Sequence, residues 1–276
     1  MKKIGFVDYY LSEWHANNYP QWIKDANPEY EIAYAWAELD VSPRDGITTA
    51  EWCQKFGATP CATLEELCEK SDVILILAPS NAECHLRYAR VALPYGKRTY
   101  IDKTFAPNEA EAREIFAIAE RYQTPFFSTS ALRYAEELDS YGDCCMMMTT
   151  GGGIDLAEYL VHQVEMIVKK MGMGAERIRA SRFGGGYHFQ IAYPEGREAM
   201  MVFDSSLSFF VTMSNGKKAL TTKVTSPYFQ ALIADILRFY DEGTVSFDVE
   251  QTLEVMRVRE AALRAMETPD AWMAIS

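Results

Sequence analysis

Basic residues are scarce: 27 lysines and arginines stand against 39 aspartates and glutamates, a net charge of −12 over 276 residues. Such a chain repels phosphate backbones and anionic lipid surfaces, so neither nucleic acid nor a membrane is an expected partner. Long apolar runs are lacking too, and nothing approaches the roughly 18 residues of a membrane span. The opening Met1-Lys2-Lys3 leads into only Ile4-Gly5-Phe6-Val7 before Asp8, too short an apolar stretch for a signal peptide, and a cytoplasmic protein is expected. The cysteines (Cys53, Cys61, Cys68, Cys84, Cys144, Cys145) include no Cys-x-x-Cys pair, which removes the signature of a zinc site or redox motif and casts them as structural thiols. Internal repeats and low-complexity tracts are also missing. What is present is apolar material: 49% hydrophobic and 13% aromatic residues suffice for one large or two ordinary packed cores.

Up to about residue 130, short apolar strands at 4–7, 31–36, 73–77, 99–101 and 125–128 alternate with amphipathic stretches, which predicts βαβ units and a parallel sheet. The run Val73-Ile74-Leu75-Ile76-Leu77 is apolar on both faces, as a central strand covered by helices must be. Residues 107–123 read as a helix with Pro107 in its first turn and Glu109 and Glu111 against its dipole. Beyond about residue 175 the runs lengthen (177–183, 187–193, 199–203, 208–213), and Asn215-Gly216 before 219–224 predicts a type I′ hairpin and an antiparallel sheet. Helices at 228–242, stopped by Gly243, and at 249–266 close the chain. The expected class is α/β: a doubly wound parallel sheet over 1–128, then an α/β domain with an open, mostly antiparallel sheet over 129–276.

Between the halves, Gly151-Gly152-Gly153 precedes a helix over 154–171. At 100° per residue, Leu156, Leu160, Val164, Ile167, Val168 and Met171 share one face, and Asp155, Glu158, His162 and Glu165 share nearly the opposite one. A carboxylate one turn from an imidazole fixes its tautomer and raises its basicity, as a general base near neutral pH requires. A solvent-facing surface of mixed charge explains the same pattern, and metal ligation would need a fourth ligand that nothing nominates. A second candidate is Asp102-Lys103-Thr104 at the end of a predicted parallel strand, because ligands of open α/β sheets bind beyond the carboxyl ends of strands.

The order Asp72-Val73-Ile74-Leu75-Ile76-Leu77-Ala78-Pro79, then His85, Asp102-Lys103, Arg133-Tyr134, Gly151-Gly152-Gly153 and His162 resembles the Gfo/Idh/MocA family, named for glucose–fructose oxidoreductase and inositol dehydrogenase. Pro79 and His85 match the family's Thr-Pro or Asn-Pro turn and downstream histidine, Asp102-Lys103-Thr104 its Glu-Lys-Pro turn, and Glu158 to His162 its Asp-x-Gly-x-His helix. The resemblance spans nearly the whole chain. It implies a Rossmann domain, a second domain whose sheet often serves oligomerisation, and hydride exchange between nicotinamide and a sugar or polyol carbon. His162 would then take the hydroxyl proton and Lys103 hold the developing alkoxide, supported by Asp102, Arg133, Asp155 and Glu158. The cofactor would meet Asp8, Tyr9, Ser12, Glu13, Glu38, Ala78, Pro79, His85 and Lys103. Carboxylates at Glu38 and Asp40 favour NAD over NADP, whose extra phosphate they would repel.

The chain departs from the family in three places. Where the pyrophosphate loop should read Gly-x-Gly-x-x-Gly it reads Asp8-Tyr9-Tyr10-Leu11-Ser12-Glu13, with Gly5 back inside the strand and Ser12 as the expected helix cap. Asp102, Thr104 and Glu158 replace the family's residues with others of different reach or turn geometry. Only residues 134–150 lie where the family places a sheet strand and a substrate loop, so the substrate domain is expected to be trimmed. Three functions follow: an NAD-dependent oxidoreductase of a sugar- or polyol-like hydroxyl; a non-catalytic small-molecule binding or regulatory protein that has lost the pyrophosphate loop; and nicotinamide chemistry used for transient oxidation within an elimination or glycoside cleavage. A homo-oligomer formed through a sheet face carrying Phe209, Val211 and Met213 or their neighbours is also expected.

Overall fold

The computed structural model describes residues 1–275, which separate into two compact units: Met1–Thr129 with Gln230–Phe247, and Ser130–Phe229 with Asp248 onward. In the first unit, β1 (Lys2–Asp8), β2 (Tyr30–Ala37), β3 (Thr59–Pro60), β4 (Val73–Ile76), β5 (Thr99–Ile101) and β6 (Phe126–Phe127) form an all-parallel sheet in the order β3-β2-β1-β4-β5-β6. The order reverses between β1 and β4, and in sheets of this kind ligands bind beyond the strands' carboxyl ends at that point. The helices are α1 (Trp14–Ala26), α2 (Thr49–Phe56), α3 (Leu64–Lys70), α4 (His85–Ala92) and α5 (Glu109–Tyr122). All of β4 is buried, as its two-sided apolar sequence requires. Gly5 sits inside β1 because a methyl group there would strike Ser71 Oγ and the Leu67 side chain; its role is packing between strand and helix.

The second unit is built on β7 (Met146–Gly151), α6 (Leu156–Met171), β8 (Arg177–Phe183), β9 (Gly186–Ala192), β10 (Glu198–Phe203), β11 (Phe210–Ser214) and β12 (Ala219–Lys223). The helices α7 (Tyr228–Glu242) and α8 (Glu250–Ala265) and the short β13 (Met273–Ala274) follow. The sheet runs β12-β11-β7-β10-β9-β8-β13, antiparallel except for the β7–β10 pair, with α6 and α8 packed on it. The class read from alternation and hairpin signals is therefore the one observed.

Four expectations need correction. A strand does lie in the stretch from Arg133 to Gly151: β7 is the third of the seven strands, flanked by β11 and β10, so the sheet strand expected there is not trimmed away. The β11–β12 loop spans four residues, with Ser214 opposite Ala219, and only Gly216 of the Asn-Gly pair has positive φ (82°), so it is not a two-residue type I′ turn. Asn215 instead uses its side-chain Oδ1 to accept from the N–H groups of Lys217 and Lys218. Val211 and Met213 are fully buried and face the core; the alternation turns Phe210 outward in their place. Finally, the boundary is not a single cut near 128. Residues 230–247 return to the first unit, where the Tyr240 hydroxyl donates to the Ile74 carbonyl at 2.6 Å, Arg98 donates to the Tyr240 carbonyl at 2.6 Å, and Phe239 packs edge-on to Phe127.

Candidate functional site

In the first unit, three strand ends meet at the switch point. Asp8 closes β1, is 1% exposed, and accepts through Oδ1 from the N–H groups of Tyr9 (2.7 Å) and Ala78 (3.1 Å). Burial, reinforced by the charges of Glu13 and Asp102, pushes its pKa well above the usual aspartate value. Ala78, beyond β4, holds φ at +55°, a left-handed backbone that aims its N–H at that carboxylate. Past β5, Asp102 (1% exposed) accepts from the Tyr100 hydroxyl at 3.0 Å, and Lys103 (6% exposed) donates from Nζ to the Pro79 carbonyl at 3.2 Å. The Lys103–Thr104 peptide is cis. A buried lysine at the end of an interior strand is placed to donate to a ligand oxygen on which negative charge develops.

The turn after β1 differs from expectation. Glu13, not Ser12, caps α1: its carboxylate accepts from the N–H of His15 at 2.8 Å and from the N–H of Ala16. Ser12 instead donates to Asp45 at 2.7 Å. The His15 ring lies between two acids, with Nδ1 3.4 Å from Glu13 and Nε2 3.9 Å from Asp102. One turn on, the buried Tyr19 packs edge-on to that ring, and burial followed by the Asp102 and Glu13 charges raises its pKa well above the usual phenol value. His15 and Tyr19 are functional candidates that sequence reasoning passed over. The signal was their one-turn spacing on the helix that follows the switch-point strand.

The other cofactor candidates separate. His85 is wholly buried, its ring nitrogens 3.0 Å from the Phe105 carbonyl and 2.6 Å from the Leu77 carbonyl; burial lowers its pKa against the pull of those acceptors. It ties the ends of β4 and β5 together and presents no surface to a cofactor, which corrects its expected role. Glu38, beyond β2, accepts from Arg87 at 2.8 Å and from the Tyr88 hydroxyl at 2.9 Å, while Asp40 is exposed. A dinucleotide's ribose would meet Glu38, and its ring end a site near Lys103. Its pyrophosphate ordinarily rests on the first N–H groups of the helix after β1, and here Glu13 holds them. The residues fit the group on condition that the Glu13 carboxylate leaves.

In the second unit, His162 on α6 is half-buried, with Nδ1 2.7 Å from the hydroxyl of the buried Ser130. The opposite face is not simply solvent-facing: Glu165 is 3% exposed and pairs with Arg133 at 2.5 Å, and Arg133 also donates to Gln251 at 2.7 Å. Asp155 caps α6 by accepting from the Glu158 N–H at 2.9 Å. A Cβ at Gly151, Gly152 or Gly153 would collide with Phe209, the Asp204 carbonyl or the Tyr159 ring respectively, so these glycines serve close packing around the start of α6. The expected set thus falls into Asp102 and Lys103 in one unit and Arg133, Asp155, Glu158 and His162 in the other. Among the described residues, no group of three or more His, Cys, Asp or Glu is placed to hold a metal ion.

Solved structures share the fold over the full chain. Scyllo-inositol dehydrogenase from Lactobacillus casei, solved with NAD(H) and scyllo-inositol, superposes at TM-score 0.78 with 12% identity, covering 100% of this chain and 99% of its own. The chain shares the inositol-dehydrogenase fold. GenD2 from gentamicin A biosynthesis, solved with NAD, shows the same fold at TM-score 0.83 and 12% identity, covering 100% of this chain and 97% of that one. An oxidoreductase from Thermotoga maritima does so at 0.80 and 15%, covering 100% and 99%. In sequence, 56 residues are 39% identical to the uncharacterized oxidoreductase YhhX of Escherichia coli (strain K12), a stretch that spans 20% of this chain and 16% of that relative. No family model matches the chain. Among the described residues no helix is long and apolar enough to cross a membrane.

Proposed function

We propose that the chain is an oxidoreductase that exchanges hydride between NAD and a hydroxyl-bearing carbon of a sugar- or polyol-like small molecule. The observation that carries the proposal is Lys103, an almost fully buried lysine just past the carboxyl end of β5, an interior strand of the parallel sheet, in a fold that solved dehydrogenases share. When bound, nicotinamide supplies or accepts the hydride. In the first unit Lys103 has the chemistry to donate to the substrate oxygen and stabilise its negative charge; in the second, His162, its ring oriented by Ser130, has that of the base for the hydroxyl proton. Glu38 receives the ribose hydroxyls, and with Asp40 nearby it disfavours a 2′-phosphate, which selects NAD over NADP. The likeness to enzymes solved with NAD supports the cofactor, and the scyllo-inositol in one of them supports the substrate class.

The test has two parts. Millimolar NADH is expected to raise the melting temperature and enhance nicotinamide fluorescence; a flat response to NADH together with a shift on adding polyols would return the chain to a binding protein without dinucleotide chemistry. With a substrate in hand, His162→Ala is expected to lower turnover by about 10²-fold or more in a folded protein. Unchanged turnover removes His162 from the reaction. Self-association belongs to the same proposal: on the outward face of the second sheet, Met148 and Met200 are half-buried register partners, and Phe210 is 37% exposed. A monomer by light scattering at micromolar concentration would refute it.

A further inference from the structure

We propose that the Glu13 carboxylate is an internal occupant of the pyrophosphate seat, which NAD must displace, so that Glu13 is the residue limiting dinucleotide affinity; this rests on the NAD-dependent reading above. In a sheet of this strand order, the unsatisfied N–H groups at the start of the helix after β1 meet the phosphates, and glycines let the phosphates approach. Here α1 is 13 residues long, yet the N–H groups of His15 and Ala16 both donate to Glu13, which is only 5% exposed. An anionic group of the chain itself thus takes the hydrogen bonds that a phosphate would take.

A second observation at the same turn points the same way. Asp8 is 1% exposed, and its Oδ2 has no hydrogen-bond partner among the described residues. A phosphate entering with Glu13 still in place would meet the Glu13 carboxylate and, beside it, the acceptor oxygen of Asp8 that has no donor to offer, an encounter that weak screening inside the fold makes costly. Once the Glu13 side chain swings out, the same donors become free for the phosphate. The dinucleotide then gains its usual contacts at the expense of those Glu13 gives up, and net affinity falls by the difference.

NADH titration of the full chain, followed by nicotinamide fluorescence and melting temperature, tests this on wild type, Glu13→Ser and Glu13→Gln. Serine keeps a capping oxygen on a short neutral side chain, and glutamine keeps the length without the charge. Glu13→Ser is expected to tighten NADH binding by about tenfold or more and Glu13→Gln by less, because charge-assisted hydrogen bonds no longer have to be surrendered. Inorganic pyrophosphate is expected to raise the melting temperature of Glu13→Ser and not of wild type. Equal, measurable NADH affinity in all three proteins, with the variants folded by circular dichroism, overturns the role of Glu13 and leaves the NAD reading standing. No NADH binding by any of the three at millimolar concentration overturns both. If Glu13→Ser does not fold, Glu13→Gln alone carries the comparison, with no gain in affinity counting against the proposal.

Discussion

Asp8 is a carboxyl held above its ordinary pKa inside the fold, and that fixes how pH acts on it. A raised folded-state value means that the contribution to stability is complete below the unfolded pKa of about 3.9 and is lost as pH rises through the folded one. Asp8→Asn keeps an acceptor for the Tyr9 and Ala78 N–H groups and removes the cost of ionisation. Its melting temperature is expected to gain on wild type between pH 5 and pH 8; a difference that does not change over that interval would show that Asp8 ionises freely. Ser130 acts on a neighbour, fixing the ring of His162. Ser130→Ala is expected to lower kcat by about tenfold and shift the pH profile while KM stays nearly constant, and an unmoved profile would leave Ser130 a purely structural partner. At this scale the sequence was legible where the strand pattern alone fixes a residue's place, as with Lys103 just past β5. It was silent where a residue's neighbours are distant: nothing near Ser130 in the chain announces His162, and nothing near His15 announces Asp102.

Among the elements, β4 was readable because two-sided burial leaves an unbroken apolar run, while β7 was not. Its sequence, Met146-Met147-Met148-Thr149-Thr150-Gly151, alternates between half-buried and buried positions, but methionine carries no strand preference and blurs the alternation. The α6 helix was placed to within two residues, but the partner of its polar face was not legible: Glu165 pairs inside the protein with Arg133 from the 3₁₀ turn Ala131–Tyr134, whose path the sequence does not reveal. Removing one partner of such a pair strands a buried charge. Glu165→Ala is therefore expected to cost about 3–5 kcal/mol in denaturant unfolding; a loss under about 1 kcal/mol would mean that solvent reaches Arg133. Gly152→Ala forces a methyl group onto the Asp204 carbonyl, and about 1–3 kcal/mol of destabilisation is expected by the same measurement.

The whole molecule is two units, and the chain visits the first one twice. Fold class was legible because alternating strands and helices, then hairpins, dictate it; the second visit was not, because α7 reads as one more amphipathic helix whichever unit it joins. Residues 1–129 alone lack the helix whose Tyr240 hydroxyl reaches β4 and whose Phe239 covers Phe127. That fragment is expected to bind a hydrophobic dye and to lack near-ultraviolet circular dichroism signal; a sharply melting, dye-free fragment would make α7 dispensable. The same connectivity governs birth on the ribosome. An N-terminal domain ordinarily finishes folding while the rest is still being translated. Here the opening 129 residues must wait, partly formed, until residue 247 has left the exit tunnel. The wait lasts for the 118 residues from 129 to 247, the interval in which a chaperone has most to protect.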